Sequence, residues 1–161
     1  MYFKRFVLAY DHRVDEKYIK KIREFTKEKN LELFEIKCEN NTNNDYPILA
    51  SRAHQLFLKE KCDGMILLCG TGVGMNVVAN KFIGIRSVLA QTEADAFFSR
   101  NDENANSIVF PAGKANELYS VKICKRKMIR ALDVFINTPF EGGRHQRRVD
   151  EIAEIEKGRK F

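Results

Sequence analysis

The stretch Asp63-Gly-Met-Ile-Leu-Leu-Cys69-Gly-Thr-Gly-Val-Gly74-Met-Asn76 decides the fold. Its first half is a short, continuous apolar run, typical of a strand that is buried on both faces of a parallel sheet. Three glycines at alternate positions follow, and glycine lets the backbone turn sharply and approach a ligand closely. Residues 75–81 contain neither glycine nor proline. The stretch therefore predicts a strand, a glycine loop and a helix in succession.

The glycine loop predicts a place where an anion can bind. A loop that leads into a helix N-terminus points several N–H groups, and the positive end of the helix dipole, into one small space. Cys69 stands at the head of this loop, and such a field is expected to lower the pKa of its thiol, so that a thiolate can accept a proton or attack carbon. Two plainer interpretations stay open. The spacing matches neither GxGxxG nor GxxxxGK[ST], and free cysteines are often simply buried.

Length and composition favour one globular domain. The chain has 161 residues, of which 44% are hydrophobic and 31% are charged, enough for one substantial core. We expect a single domain over residues 1–161, with residues 140–161 as a C-terminal arm. No apolar run approaches the roughly 20 residues that cross a bilayer, and the first residues do not resemble a secretory signal. The sequence thus predicts a cytoplasmic protein without a membrane partner.

The cysteine spacing and the net charge restrict the kinds of cofactor and ligand that are expected. Cys38, Cys62, Cys69 and Cys124 show no CxxC spacing, which favours reduced thiols over disulfides or a zinc site, so we expect neither a metal nor another cofactor. The net charge of +6 favours anionic partners. Aromatic residues are not interleaved with the basic runs, and no nucleic-acid-binding module is recognisable, so no nucleic-acid partner is expected. Phosphorylated small molecules fit this charge better.

Strand and helix patterns alternate along the chain. This alternation predicts a Rossmann-like, doubly wound five-stranded parallel sheet with helices on both faces. The last helix carries a thin apolar stripe, which favours packing on a partner subunit and hence a homodimer. His54 is interpreted as a surface or helix-packing residue and not as a ligand. The predicted strands are residues 3–10, 31–38, 65–69, 85–90 and 107–110; the predicted helices are residues 16–29, 46–61, 75–81, 92–99, 116–137 and 144–157.

Polar residues follow several predicted strands at the carboxyl edge of the sheet, where open α/β sheets bind ligands. They are Asp11-His12, Asp45-Tyr46 and the loop 69–74. A further region, residues 144–148, could reach this edge from the same chain or from a partner. Arg144 and Arg148 lie four residues apart on one helix face, so their guanidinium groups could clamp a phosphate. The plainer interpretation is a solvated basic helix end.

Six motifs stand in order along nearly the whole chain: Tyr10-Asp-His12, Asp45-Tyr-Pro47, Cys69-Gly-Thr-Gly-Val-Gly74, Ala79-Asn-Lys81, Gly84-Ile-Arg86 and Glu141-Gly-Gly-Arg-His-Gln146. Together they resemble the ribose-5-phosphate isomerase B family, which includes the subunits of galactose-6-phosphate isomerase. The occurrence of CGTGVG and EGGRHQ in one chain is the most specific part of the resemblance.

The resemblance implies a metal-free aldose–ketose isomerase that acts on a phosphorylated sugar, such as ribose 5-phosphate, through a cis-enediol. Cys69 matches the general base of the family, and Thr71 matches the hydroxyl that assists at the sugar oxygen. The loop that contains Gly70, Gly72 and Gly74 matches the backbone amides that stabilise the enediolate. This agrees with the local physics, because fixed N–H groups aimed at developing negative charge are often the largest catalytic term.

The resemblance also implies the residues that hold the substrate. One group matches positions that contact sugar or phosphate, and another matches a phosphate clamp that the family draws from the second subunit of its dimer. The first group is Asp11, His12 and Tyr46; the second is Arg144 and Arg148, with His145 expected as a substrate-binding residue in the same motif.

The chain departs from the family at two functional positions. Ribose-specific members carry a His-Asn-Asp run whose histidine opens the sugar ring, and here residues 101–104 read Asn-Asp-Glu-Asn. We therefore expect Asp102 to be catalytic, with Glu103 or His12 as alternatives, and Asn104 to bind substrate. The cysteine-bearing subunit of galactose-6-phosphate isomerase also lacks that histidine. An arginine that often follows the fifth strand is absent as well, with only Lys114 nearby.

Three functions remain open from the sequence. The first is an isomerase of a pentose or hexose phosphate. The second is one subunit of a heteromeric galactose-6-phosphate-type isomerase, and the third is a sugar-phosphate-binding protein that has lost catalysis. The joint retention of the cysteine, the threonine and the arginine pair favours the first.

Overall fold

A single parallel sheet of five strands forms the centre of the chain, in the order β2-β1-β3-β5-β4. The computed structural model describes residues 2–36, 45–114 and 122–161. Helices cover both faces of the sheet, so the predicted fold class is confirmed. The elements are β1 (Arg5–Tyr10), α1 (Glu16–Glu28), β2 (Glu32–Ile36), α2 (Tyr46–Lys59), β3 (Gly64–Cys69), α3 (Val73–Ala79), β4 (Ser87–Leu89), α4 (Glu93–Asn101), β5 (Ser107–Pro111), α5 (Lys125–Asn137) and α6 (Arg144–Glu156).

Successive side chains of each strand enter different layers of the core, as the pleat of a strand requires. Phe6 and Leu8 of β1 pack with α1, α4 and α5, whereas Val7 and Ala9 pack with α2 and α3. All six residues of β3 are buried. The continuous apolar run in the sequence therefore corresponds to a central strand that is covered on both faces.

Local capping chemistry sets several helix starts where the sequence predicts them. The Asp15 side chain accepts a hydrogen bond from the Lys17 amide at 3.0 Å, and Thr92 forms a capping box with Asp95. His54 stacks on the ring of Phe82, with 4.4 Å between ring centroids. Of the two predicted roles, surface or packing, the ring contact favours packing, and the exclusion of a ligand role stays a prediction.

Three predicted boundaries are wrong. Helix α3 begins two residues early, at Val73, because Gly72 takes a left-handed conformation and serves as the N-cap. Strand β4 has only three residues because it lies at the sheet edge and pairs with β5 alone. The fifth helix begins at Lys125, because the preceding residues stay extended: Ile123 donates from its amide to the Pro111 carbonyl at 2.9 Å. The predicted helical residues 116–121, as well as Cys38 and the loop 39–44, lie outside the described residues.

Helix α6 is fixed to the rest of the chain near its two ends. His145 and Val149 are buried, whereas Ile155 is 58% exposed. Near the other end, both carboxylate oxygens of Glu156 accept from the Gly84 amide at 3.0 Å. Packing of this helix on a partner subunit remains a prediction. Within the described ranges, no helix is long and apolar enough to cross a membrane.

Gly72 is a position where only glycine fits. Its φ is +77°, a value that residues with a Cβ rarely adopt. A Cβ there would also overlap the Leu89 Cδ1 methyl and stand 3.2 Å from the Pro111 backbone nitrogen. Gly84 has almost the same φ, +78°, but a Cβ would meet nothing within 4 Å.

This pair gives a matched test of the glycine turn. Gly84→Ala should lower the free energy of unfolding by about 1 kcal/mol, from backbone strain alone. Gly72→Ala should cost about 1–3 kcal/mol more, because crowding adds to the same strain. Urea unfolding of both variants measures the difference. Equal losses for the two substitutions would contradict the close packing inferred around Gly72.

Candidate active site

Cys69 ends β3 at the point where the sheet topology reverses direction. Strands β1 and β3 are neighbours, while the chain leaves β1 toward β2 on one side and leaves β3 toward β4 and β5 on the other. Such a switch point opens a crevice at the carboxyl edge of a parallel sheet. Asp11, which follows β1, donates from its amide to the Leu68 carbonyl at 3.3 Å. Gly113, which follows β5, donates to the Gly70 carbonyl at 3.2 Å. Three segments therefore meet around the thiol.

The thiol of Cys69 is buried and surrounded by backbone amides. The residue is 4% exposed, and the Gly72 amide donates to its Sγ at 3.2 Å. The amides of Met75 and Thr71 also favour a negative charge on the sulfur and so act to lower the pKa of the thiol. The loop thus forms a set of N–H donors around one sulfur atom, as the sequence predicts.

The predicted fall in the pKa of Cys69 is wrong for the single chain. Burial raises the pKa of this thiol, and the negative charge of Asp11 raises it further, while the three amides lower it by less. Helix α3 has only seven residues, so its dipole adds little to the individual amides. The thiol is therefore protonated near neutral pH in the isolated chain, and it becomes a strong base once it is ionised.

The other residues predicted at the carboxyl edge lie around this loop. Asp11 is buried, and its Oδ1 accepts from the Arg13 amide at 3.0 Å. His12 is exposed, and its carbonyl accepts from Lys114 Nζ at 2.7 Å. These contacts hold the segment after β1 against the segment after β5, beside the thiol.

Tyr46 and Thr71 complete this edge. A Cβ at Gly74 would stand 2.8 Å from Tyr46 Cε2, so the tyrosine ring lies directly on the glycine loop. Thr71 is exposed, and its Oγ1 accepts from the Val73 amide at 3.3 Å. Both hydroxyl groups are thus carried by segments that border the thiol.

Asp102 and Asn104 lie at the opposite, amino edge of the sheet. The Met65 amide, at the start of β3, donates to the Asn106 carbonyl at 3.0 Å. Since a strand rises about 3.3 Å per residue, this point is roughly 13 Å from Cys69. The single chain therefore does not bring these two predicted residues to its own thiol.

Asn104 is occupied by structural contacts. Its φ is +49°, and its side-chain Oδ1 accepts from Arg100 Nη1 at 2.9 Å. Its carbonyl accepts from Arg86 Nη2, also at 2.9 Å. Two half-buried or buried arginines thus brace the loop at this residue. This geometry favours a structural role for Asn104 over the predicted substrate contact.

The basic motif at the start of α6 also lies at the amino edge. His145 is only 2% exposed, and its Nε2 lies 3.3 Å from Glu141 Oε2 and 3.8 Å from Asp102 Oδ1. Arg144 and Arg148 are exposed. Among the described residues neither arginine forms an ion pair with a carboxylate, whereas Arg147 on another face approaches Glu151 at 4.0 Å. Two guanidinium groups therefore remain available for a ligand.

Sequence reasoning missed three contributors. The Met75 amide, in the first turn of α3, acts to lower the pKa of the thiol, although Met75 lies beyond the last glycine of the loop. Asn101 donates from Nδ2 to Asp102 Oδ1 at 2.8 Å and to Glu141 Oε2 at 3.0 Å. Glu141 lies in the EGGRHQ motif and Asn101 beside Asp102, so both were signalled only by their positions next to predicted residues.

Comparison with known proteins identifies the family. The model of the ribose/galactose isomerase family matches residues 6–152. Ribose-5-phosphate isomerase B of Escherichia coli K12 is 35% identical over 132 residues, which cover 82% of this chain and 83% of that protein.

Solved structures agree with this assignment. A ribose 5-phosphate isomerase from Thermotoga maritima superposes with a TM-score of 0.79 at 33% identity, covering 94% of this chain and 98% of the other. Ribose-5-phosphate isomerase B from Mycoplasma genitalium, solved with bound ribulose 5-phosphate, gives 0.80 at 33% identity and covers 96% and 97%. The expected class of enzyme, an aldose–ketose sugar-phosphate isomerase, is thus confirmed at the level of the family. This chain belongs to the ribose-5-phosphate isomerase B family of sugar-phosphate isomerases.

Proposed function

We propose that this chain interconverts ribose 5-phosphate and ribulose 5-phosphate, with Cys69 as the general base. The observation that carries the proposal is the buried Cys69 thiol within a ring of loop amides at the switch point of a chain from this family. The Escherichia coli relative and the ribulose 5-phosphate-bound Mycoplasma genitalium relative support this choice of sugar.

The proposed reaction moves one proton between neighbouring carbons. The ionised Cys69 removes the proton from C2 of the open-chain aldose and returns it to C1, while a second proton passes from O2 to O1. The carbonyl group thus moves from C1 to C2, and the sugar is neither oxidised nor reduced overall. Negative charge collects on the enediolate oxygen, where the Thr71 hydroxyl and loop amides stabilise it. Asp11, His12 and Tyr46 hold the sugar from the surrounding segments. This chemistry calls for no metal or cofactor.

The remaining groups come, in this proposal, from a second copy of the chain. Asp102 would open the sugar ring, and Arg144 and Arg148 would bind the phosphate as paired guanidinium forks. Their distance from the Cys69 of their own chain supports an arrangement in which each copy completes the site of the other. A two-fold axis makes that exchange reciprocal.

An apolar groove beside Asp102 supports this dimer. It has a volume of about 620 Å³ and runs between β4, α4 and α6. Phe98 and Ile155 on its walls are 57% and 58% exposed, an exposure that a monomer seldom keeps in one place. A second copy that covered this groove would bury both side chains next to the carboxylate that the proposal assigns to the partner's site.

Two alternative functions remain to be tested against this proposal. Without the family histidine, the chain could be one subunit of a heteromeric isomerase, and the protein purified alone would then be inactive. A sugar-phosphate-binding protein without catalysis would exchange no C1 or C2 proton in heavy water. Assays of the isolated protein for turnover and for this exchange distinguish the three functions.

Replacement of the base gives the first test of the reaction. Cys69→Ala should lower kcat for ribose 5-phosphate by about 10²–10⁴-fold, the usual contribution of a general base. Binding of ribulose 5-phosphate, measured by calorimetry, should change little. Cys124→Ala is the matched control, because Cys124 is exposed at the start of α5 and should leave turnover unchanged. Normal turnover by Cys69→Ala would refute the assignment of the base.

The charge of Asp11 gives a test by pH. Because this carboxylate raises the pKa of Cys69, the wild-type kcat/KM should increase with pH as the thiol ionises. Asp11→Asn should move this rising limb to lower pH, although substrate binding also weakens. Asp133→Asn on α5, a partly exposed carboxylate that pairs with Lys29, should leave the limb in place. A limb that does not move in Asp11→Asn would count against Cys69 as the titrating base.

A further inference from the structure

Five polar residues form a connected cluster at the amino edge of the sheet, and His145 lies at its centre. We call Asn101, Asp102, Glu141, Arg144 and His145 the amino-edge cluster. Arg144 Nε donates to His145 Nε2 at 3.2 Å, and the same nitrogen faces Glu141 at 3.3 Å and Asp102 at 3.8 Å. Asn101 bridges the two carboxylates from the other side. The cluster thus joins the end of α4, the segment after α5 and the start of α6.

His145 is buried, unlike the neighbouring arginines that are proposed to face the ligand. The side chain is 2% exposed, whereas Arg144 and Arg148 beside it are exposed. Its Nδ1 is buried and has no hydrogen-bond partner among the described residues, so the imidazole is held through Nε2 alone. The imidazole is therefore covered by its neighbours in the single chain, and its hydrogen-bond partner Arg144 is exposed to a ligand.

A guanidinium group lies at the point where the acidic side chains of the cluster approach the imidazole. The ligand atoms of Asp102, Glu141 and His145 lie within 4.8 Å of one another, a spacing that can hold a cation. Arg144 Nε stands 3.2 Å from the imidazole nitrogen at this point. The guanidinium is therefore fixed in direction by the imidazole, while it forms no ion pair with a carboxylate among the described residues.

We propose that His145 is a positioning residue: its Nε2 accepts a hydrogen bond from Arg144 and so holds the guanidinium in a fixed direction beside Asp102. The guanidinium and the carboxylate would then meet the substrate in one arrangement. This inference rests on the proposed function, and it replaces the expected contact of His145 with substrate. Arginine on an exposed helix samples many rotamers, and fixing it before the ligand arrives lowers the entropic cost of binding. Small displacements of such groups cause large losses of rate.

Two substitutions of His145 test whether Nε2 or Nδ1 makes the contact that the proposal requires. The amide of glutamine can occupy the place of Nε2, whereas the shorter asparagine reaches only the place of Nδ1. His145→Asn should therefore raise KM for ribose 5-phosphate and lower kcat, with a combined loss of about tenfold to a hundredfold. His145→Gln should stay within about threefold of the wild type.

A double-mutant cycle with Arg144→Ala decides how His145 acts. If His145 works through Arg144, the increase in KM caused by His145→Asn should disappear in the Arg144→Ala background. An equal effect in both backgrounds, no effect of His145→Asn in the wild type, or failure of His145→Gln to restore KM would each overturn the proposal. If His145→Asn does not fold, Glu141→Gln takes its place in the same cycle. The increase in KM caused by Glu141→Gln should then also disappear in the Arg144→Ala background.

The same cycle is measured on Kd for ribulose 5-phosphate by calorimetry. Wild-type protein without turnover would count against the proposed function, while the cycle on Kd would still test the role of His145. Normal wild-type turnover with no coupling in the cycle would overturn only the positioning role.

Discussion

The parallel direction of all five strands is the constraint on which the rest of the structure depends. Every strand ends at the same edge, so Cys69 and the segments after β1 and β5 meet there. The helices between the strands return the chain to the other edge, and the end of α4 and the start of α6 come together at that edge around His145. Neither edge alone holds both the proposed base and the proposed phosphate clamp. A functional site that needs both must take one of them from a second copy of the chain.

The chemistry at the carboxyl edge follows from a competition between burial and hydrogen bonding. Loop amides favour the thiolate of Cys69, but removal of water favours the thiol, and the nearby charge of Asp11 acts in the same direction. The result is a weakly acidic thiol in the single chain. In the proposed dimer, Arg144 and Arg148 from the partner bring positive charge to this crevice, which would lower the pKa again. Formation of the dimer would then both complete the site and lower the pKa of Cys69.

Local chemistry could be predicted from the sequence, whereas its spatial consequences could not. The order of elements and the cap at Asp15 follow from residue pattern and side-chain hydrogen bonds, which act within a few residues. Whether the pKa of Cys69 is raised or lowered depends on the strands and helices that bury it, and a local sequence pattern does not show which elements these are. The charged neighbours of His145 suggest an exposed ligand, yet the face it occupies on α6 is buried. Likewise, Asp102 matches a catalytic position, but only the sheet topology places it far from the thiol of its own chain.

A mixture of two inactive variants tests the central claim most directly. Cys69→Ala removes the base from one edge, and Arg148→Ala removes half of the clamp from the other. If each site combines the two edges of different copies, a heterodimer of these variants contains one intact site. Random exchange of subunits should then restore about a quarter of the wild-type activity. Heterodimers isolated through two different tags that stay as inactive as their parents would contradict the shared site.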